Sequence, residues 1–92
     1  MNDYALTPSA EIDLQKIRTY IAADIFAACQ LLADNPQMGY SRPAWTEKPV
    51  RFWIVRRHYL IVYAPQGQPL QIQRIIHAAR NIPKLLEEEG QE

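Results

Sequence analysis

The chain has 92 residues with ten acidic and ten basic side chains, so its formal net charge is zero. A chain of this length predicts a single domain over residues 1–92. Its one cysteine, Cys29, excludes an intrachain disulfide, and no apolar run is long enough to cross a bilayer. With no signal peptide before Tyr4, these features indicate a cytoplasmic protein with no membrane partner.

The charges are distributed unevenly along the chain. Residues 42–84 have eight basic side chains and one acidic side chain, a surplus of +7. Residues 1–41 have two basic and five acidic ones, and residues 85–92 have four acidic ones. A basic region of this kind indicates an anionic partner, either nucleic acid or an acidic protein segment. The alternative is a solvated surface whose charge is balanced by the acidic C-terminus.

The N-terminal third predicts a strand followed by helical structure. Residues 3–6 are mildly apolar and are predicted to form a first strand docked on a sheet. Thr7 suits a helix N-cap and Pro8 suits the first helical position. Apolar residues then recur at helical spacing from Ala10 to Leu32, and Asn35-Pro36 ends the pattern.

The length of this pattern leaves two alternatives. A single helix of about 27 residues would be about 40 Å long, whereas a domain of this size has a diameter of about 30 Å. Either a tight turn near residues 22–24 produces a helical hairpin, or one long helix extends to pack on another molecule.

The segment from Val50 to Arg80 predicts three short strands. β-Branched and aromatic residues alternate with other residues there, as a pleated, half-buried surface favours. The first connection is Arg56-Arg57-His58, and the second is residues 65–69, in which Gly67 is free to adopt a positive φ. The expected product is an antiparallel meander, with Leu70, Ile72 and Arg74 on one face of its last strand.

These elements together predict an α+β fold. It comprises an N-terminal strand, a helix or helical hairpin packed on an antiparallel β-meander, and a short C-terminal helix over residues 81–89. Asn81 is the expected N-cap of that last helix, and Pro83 lies in its first turn.

Several segments resemble the ParE-type toxins of the ParE/RelE superfamily. The run from Arg74 to Asn81 is the most specific part, and the resemblance covers nearly the whole chain. The matching segments are Tyr4–Ala10 with Asp13-Leu14 and Ile17, Asn35-Pro36 with Gly39 and a following arginine, Arg51-Phe52, Tyr59–Tyr63 and Ile72–Asn81. The family usually has two antiparallel helices joined by a loop. Here Tyr20–Ala22 continues directly into Ala23–Phe26, which indicates a shortened helical region.

The resemblance implies a RelE/ParE-like fold and the toxin of a bacterial type II toxin–antitoxin system, associated with plasmid stabilisation. It implies a non-enzymatic inhibitor of DNA gyrase that a cognate, ParD-like antitoxin neutralises. No cofactor, metal, catalytic residue or direct sequence-specific nucleic-acid binding is expected. His58, His77 and Cys29 do not have metal-ligand spacing.

Two alternatives to gyrase inhibition remain. A RelE-type, ribosome-dependent mRNA interferase would need an acid–base group and cations for the phosphate. RelE-type proteins have a catalytic Tyr or His near the C-terminus, and this chain has neither after His77. Its acidic end would also oppose a phosphate. The second alternative is an inactive, antitoxin-binding remnant, because the shortened helical region puts toxicity in doubt.

Five residues are predicted to contact the target or the antitoxin as cations or hydrogen-bonding groups: Arg51, Arg57, Arg74, His77 and Arg80. Arg74 lies among apolar neighbours, so its charge requires a carboxylate partner, either Asp13 or one supplied by the antitoxin. If the strands pair in sequence, Arg51 and Arg74 need not share an edge, and the five residues then form two patches. His77 at a strand end has the alternative of a hydrogen-bonded structural histidine.

Overall fold

A computed structural model describes residues 3–77 of the chain. Its elements, in order, are β1 Tyr4–Leu6, α1 Pro8–Gln15, α2 Thr19–Asp34, β2 Arg51–Val55, β3 Tyr59–Ala64 and β4 Leu70–His77. They confirm the α+β prediction for this part of the chain. The predicted C-terminal helix over residues 81–89 lies outside the described residues.

The sheet has the strand order β1-β4-β3-β2. β2, β3 and β4 pair antiparallel in sequence, so the predicted meander is confirmed. β1 is the predicted docked strand, and it pairs parallel to β4, with Tyr4 opposite Leu70 and Leu6 opposite Ile72. The first strand of the chain is therefore held by the last one that the structure describes.

Thr7 connects β1 to α1 as the sequence predicts. Its backbone is extended, with φ −69° and ψ 162°, and its Oγ1 accepts a hydrogen bond of 3.2 Å from the Ala10 N–H. The same hydroxyl donates a hydrogen bond of 2.8 Å to the Gln73 carbonyl on β4. Because one side chain both caps α1 and bonds the sheet, the start of the helix is fixed relative to β4.

The boundary between the helices differs from both alternatives that the sequence left open. α1 ends at Gln15 and α2 begins at Thr19, so the predicted turn near residues 22–24 is wrong, as is the single long helix. The N–H of Lys16 bonds the Asp13 carbonyl and that of Ile17 bonds the Leu14 carbonyl, which tightens the end of α1. Ile17 still packs on the core, so the apolar periodicity continues through the break and hides it.

Apolar residues are buried on both faces of the sheet. The helix-side core combines residues of α1 and α2 with one face of the strands: Ala10, Leu14, Ile25, Cys29, Leu32, Ala33, Val55, Ile61, Tyr63, Leu70, Ile72 and Ile75. The opposite face buries Val50, Phe52, Leu60, Val62 and Ile76, with Trp45 packed against them.

A β-bulge changes the phase of β4. Val62 pairs with Arg74 while Tyr63 pairs with Ile72, so Gln73 is an extra residue in the ladder. Leu70, Ile72 and Ile75 consequently lie in the helix-side core, and the predicted alternation of Leu70, Ile72 and Arg74 on one face is wrong at Arg74.

The residues that adopt positive φ are not the predicted ones. Gly67 does not adopt a positive φ, whereas Arg56 and Arg57 have φ values of 53° and 62°. They occupy the connection between β2 and β3, where the His58 N–H donates to the Val55 carbonyl. Residues other than glycine are uncommon in this left-handed region, so the two arginines hold a backbone conformation that glycine would adopt more easily.

Candidate functional site

The meander brings four basic side chains, those of Arg56, Arg57, His58 and His77, to one end of the sheet. Arg57 and His58 lie in the β2–β3 connection, and His77 ends β4 opposite Tyr59. The His58 and His77 rings are stacked with their centroids 6.3 Å apart, and the Tyr59 ring meets His77 edge-on at 5.3 Å. We call this surface, made of Arg56, Arg57, His58, Tyr59 and His77, the turn-end patch.

Within the turn-end patch the two adjacent arginines have different surroundings. Arg56 forms an ion pair with Asp24 of α2, and its guanidinium lies 5.4 Å from the centroid of the Tyr20 ring. Arg57 is exposed. Arg56 therefore connects the turn to α2, while Arg57 presents its charge to solvent. Sequence reasoning did not identify Arg56, because the position of α2 relative to the turn decides which arginine is paired.

Arg74 is held by Asp13 in a bidentate ion pair. Its Nε donates to Oδ2 at 2.7 Å and its Nη2 to Oδ1 at 3.1 Å. The Ile75 N–H also donates to Oδ2, at 2.9 Å. The side chains are only 19% and 12% exposed, so this pair is shielded from water. The first of the two partners that the sequence proposed for Arg74 is thus confirmed.

A groove of about 360 Å³ lies beside this ion pair, between the end of α1 and the ends of β3 and β4. Its lining consists of Asp13, Lys16, Ile17, Tyr59, Arg74, Ile75, Ile76 and His77. Two predicted residues, Arg74 and His77, thus border one groove. Asp13 contributes a carboxylate to the same surface.

Arg51 lies at the opposite end of the sheet and bonds the backbone. Its Nη1 donates to the Gly39 carbonyl at 2.8 Å. The Gly39 N–H donates to the Tyr63 hydroxyl at 2.9 Å, and that hydroxyl donates to the Pro36 carbonyl at 2.8 Å. This Tyr63 network, made of Pro36, Gly39, Arg51 and Tyr63, fixes the loop after α2 on the sheet. Arg51 therefore has a structural role.

Burial is the main cause of a raised pKa at two groups in the helix-side core. Burial raises the pKa of Tyr63, although the Gly39 hydrogen bond and the nearby Arg51 charge oppose the rise. Burial also raises the pKa of Cys29 to about 12, so its sulfur is a thiol at neutral pH. Because the thiolate is the reactive form, Cys29 is not suited to nucleophilic or redox chemistry.

The outer edge of β2 has an aromatic surface that sequence reasoning missed. Tyr40 forms an isolated bridge with Phe52, and its ring stacks on Trp53 at 5.8 Å. The Arg42 guanidinium lies 5.2 Å from the Tyr40 ring and 5.7 Å from the Trp45 ring. The aromatic residues around Pro43 were the available signal. Their grouping depends on the Tyr40–Phe52 bridge, which the sequence does not reveal.

The predicted site residues thus do not form one cluster. Arg51 begins β2, which is about 13 Å long at about 3.3 Å per residue, and Arg57 lies beyond its other end, in the connection to β3. Arg57 and His77 share the turn-end patch, and Arg74 lies beside His77 in the groove. Arg51 pairs with Tyr63 at the other end of the sheet, so it does not share an edge with Arg74. Arg80 lies outside the described residues.

In the part of the chain that the structure describes, no group of three or more His, Cys, Asp or Glu side chains is arranged to hold a metal ion. Among residues 3–77, no helix has both the length and the apolar character that crossing a membrane requires.

Comparison with known proteins gives the family. The sequence matches the family described as "ParE toxin of type II toxin-antitoxin system, parDE" over residues 4–82. The chain belongs to the ParE toxin family. The resemblance seen in the sequence is therefore confirmed, and this ParE-family toxin is classed with the type II toxin–antitoxin systems.

A solved structure has the same fold. A chain of the chromosomal ParDE TA system from P. aeruginosa superposes with a TM-score of 0.63 and 24% sequence identity. The match covers 84% of this chain and 96% of that chain. At this identity the likeness shows the fold alone. No curated protein matches the sequence.

Proposed function

We propose that this ParE-family toxin inhibits DNA gyrase without being an enzyme and that a cognate, ParD-like antitoxin neutralises it. The expected location is the cytoplasm, and the expected role of the pair is plasmid stabilisation. Family membership supports a toxin that is paired with an antitoxin.

The separation of the cations is the observation that favours an inhibitor over a ribonuclease. Cleavage of mRNA needs cations and an acid–base group converging on one phosphate. Arg51 bonds the Gly39 carbonyl at one end of the sheet, whereas Arg57 and His77 lie at the other end. Cations separated in this way do not converge on one phosphate, whereas an exposed cation such as Arg57 suits contact with an acidic group on another protein's surface.

The groove beside Arg74 also fits phosphate poorly. The Arg74 guanidinium is engaged by the Asp13 carboxylate at 2.7 Å and 3.1 Å. A phosphate in the groove would have to approach that carboxylate and compete with it for the arginine. Electrostatic repulsion therefore disfavours the mRNA interferase alternative at this position.

The antitoxin is proposed to present an acidic, amphipathic segment that lies across the helices and the sheet. The surplus of +7 over residues 42–84 motivates the acidic character. Arg42, Lys48 and Arg57 are exposed, and Ile54 on β2 is 49% exposed. Such a segment would fold as it binds, as a helix in a groove or as an added strand.

The proposed target is tested by a supercoiling assay with purified gyrase beside a ribosome-dependent mRNA cleavage assay. The expected result is inhibited supercoiling and intact mRNA. Arg57→Gln is expected to weaken inhibition about 10- to 100-fold if the arginine makes a charge-assisted hydrogen bond. Arg57→Glu is expected to abolish it.

The matched control is Arg18→Glu, which makes the same charge reversal at an exposed arginine outside the basic region. It is expected to leave inhibition within about twofold of the parent, because a solvent-exposed charge away from a contact is screened. If mRNA is cleaved and supercoiling is not inhibited, the proposal of a gyrase inhibitor is wrong and the mRNA interferase alternative is favoured. Activity in neither assay would favour the inactive remnant.

The antitoxin is tested by co-expressing the toxin with the neighbouring small reading frame. A co-purifying complex whose stability falls with added salt is expected, because acidic and basic surfaces are screened by salt. If nothing co-purifies with the parent toxin, the antitoxin part of the proposal fails, whatever the gyrase assay shows.

A further inference from the structure

The outer edge of β2 is paired at Phe52 and unpaired at Ile54. β2 is an edge strand, because the sheet order is β1-β4-β3-β2. Phe52 exchanges two main-chain hydrogen bonds of 2.8 Å with Tyr40, on the side away from β3. Main-chain groups two residues apart in a strand point to the same edge, so those of Ile54 also face outward. Among residues 3–77, no group bonds the N–H or the C=O of Ile54.

The chain does not continue this pairing beyond Tyr40. Tyr40 pairs antiparallel with Phe52, so an extended chain would place Met38 opposite Ile54. Met38 instead packs on the helix-side core, and its N–H bonds the Asn35 carbonyl. The Ile54 side chain is 49% exposed. An edge with free main-chain groups and an exposed apolar side chain is a template for an added strand.

Exposed cations lie on both sides of Ile54 along this edge. Arg57 is exposed and follows Ile54 by three residues. On the other side, Arg42 is exposed, and its guanidinium lies 5.2 Å from the centroid of the Tyr40 ring. A segment with carboxylates before and after the residue that pairs with Ile54 would therefore be complementary in charge to the edge.

A second copy of β2 does not suit the same edge. With a two-fold axis at Ile54, Phe52 of one copy would lie opposite Arg56 of the other, but the main chain of Phe52 already bonds Tyr40. The exposed Arg57 of each copy would also add like charge to the contact. A helix is no better, since it satisfies its own main-chain groups and leaves those of Ile54 unpaired.

We propose that the acidic segment of the antitoxin adds as a strand to the outer edge of β2, where one of its residues exchanges two main-chain hydrogen bonds with Ile54. This inference rests on the proposed pairing with an acidic antitoxin, and it selects an added strand over a helix in a groove. The added strand would lie next to Arg57, the exposed cation proposed to contact gyrase. Binding at this edge would thus also oppose contact with the target.

The inference is tested by amide hydrogen exchange, measured by NMR on the free toxin and on its complex with the product of the neighbouring small reading frame. The Ile54 amide is expected to exchange rapidly in the free toxin and at least about 100-fold more slowly in the complex. The Phe52 amide, bonded to Tyr40, is expected to be protected in both samples. The amide of Gln66, in the exposed β3–β4 connection, is expected to be unchanged.

A pair of matched variants tests the side chain at the same position. Ile54→Glu places a carboxylate against the acidic segment and is expected to raise the dissociation constant of the complex at least about 30-fold. Ile12 is equally exposed, at 52%, but lies on α1. Ile12→Glu is therefore expected to bind within about threefold of the parent. Circular dichroism checks that both variants are folded, and the exchange experiment on the parent needs neither variant.

Several results would overturn the inference. A complex in which the Ile54 amide exchanges as rapidly as in the free toxin would do so while leaving the proposed antitoxin intact. An Ile54 amide that is already protected in the free toxin would show that the edge is covered. A folded Ile54→Glu that binds like the parent would place the contact elsewhere. If no complex forms at all, the proposed antitoxin fails, and this inference fails with it.

Discussion

The Tyr63 network and the turn-end patch lie at opposite ends of the same sheet and use arginine differently. In the Tyr63 network, the Nη1 of Arg51 donates a hydrogen bond of 2.8 Å to the Gly39 carbonyl. The neighbouring Tyr63 is fully buried. In the turn-end patch, Arg57 is exposed and its backbone has a φ of 62°. The first arginine stabilises the fold, whereas the second occupies a strained position that glycine would suit better.

This difference separates residues selected for stability from candidates for recognition. A strained backbone at an exposed cation persists only when the surrounding structure enforces it, and such positions are concentrated at functional sites. Arg57 therefore remains the strongest of the predicted contact residues in the described part of the chain. Arg51 and Arg74, in contrast, have internal partners.

The largest expected effect is at the Tyr63 network. A Cβ added at Gly39 would lie 2.7 Å from Cε1 and 2.9 Å from Cζ of the Tyr63 ring. Because Tyr63 is fully buried, its ring cannot move aside without disturbing its neighbours. Gly39→Ala is expected to lower the free energy of unfolding by about 3 kcal/mol in urea denaturation. Ser41→Ala, exposed in the same loop, is expected to change it by less than about 0.5 kcal/mol. Equal stability of the two variants would contradict the described position of Tyr63.

The next effect tests whether Arg74 is structural. Asp13→Asn and Arg74→Gln are each expected to destabilise the protein by about 2–3 kcal/mol, because each leaves a shielded partner uncompensated. The loss of unfolding free energy in the double variant is expected to be about 1.5–2 kcal/mol smaller than the sum of the two single losses. Urea denaturation of the parent, both single variants and the double variant measures this difference. The exposed Glu11→Gln in the same helix serves as the control.

Binding assays complete the test of Arg74. If Arg74→Gln is destabilised but binds gyrase or antitoxin like the parent under folded conditions, the residue is structural. If Arg74→Glu folds and loses binding while Arg74→Gln only weakens it, the predicted contact role is supported.

A smaller effect concerns pH. Burial raises the Cys29 pKa from 9.0 to about 12, so the unfolded chain releases this proton first as the pH rises. Ionisation of Cys29 therefore does not affect the free energy of unfolding below pH 9, and it lowers that free energy as the pH rises from 9 towards 12. Between pH 8 and pH 10.5, the parent is expected to lose about 2 kcal/mol more than Cys29→Ala, measured by urea denaturation at each pH. Parallel pH profiles of the two proteins would exclude this effect of Cys29.

The smallest effect is a gain in stability at the turn-end patch. Arg57→Gly removes the cost of a left-handed conformation for a residue with a side chain, but it increases the entropy of the unfolded chain. The net result is expected to be a stabilisation of about 0.5–1 kcal/mol in urea denaturation. The corresponding Ser41→Gly change should destabilise slightly or not at all. Destabilisation of Arg57→Gly would mean that the arginine side chain contributes to the fold.

Local sequence signals predicted the parts of the fold that depend on local chemistry. Thr7 and Pro8 begin α1 as expected, since capping involves residues only three positions apart. The alternation of apolar residues correctly predicted the meander. The need to pair a charge among apolar neighbours correctly identified Asp13 as a partner of Arg74.

The errors arose where distant contacts override local patterns. Ile17 maintains the apolar periodicity and packs on the core, so the break between α1 and α2 was not visible in the sequence. Gln73 is an extra residue only because β3 and β4 pair around it. Arg56 and Arg57 adopt positive φ in place of Gly67, because the pairing of β2 with β3 determines the geometry of their turn.

The pairing of β1 with β4 has a consequence for the synthesis of the protein. Thr7 bonds Gln73 and Asp13 bonds Arg74, across separations of 66 and 61 residues. Contacts between such distant parts of a chain form late in folding, after the entropy cost of closing the loop has been met. A chain interrupted before Leu70 has neither the partner of β1 nor the anchors of α1. Incomplete products of translation are therefore expected to be inert, and only a nearly full-length chain can become a toxin.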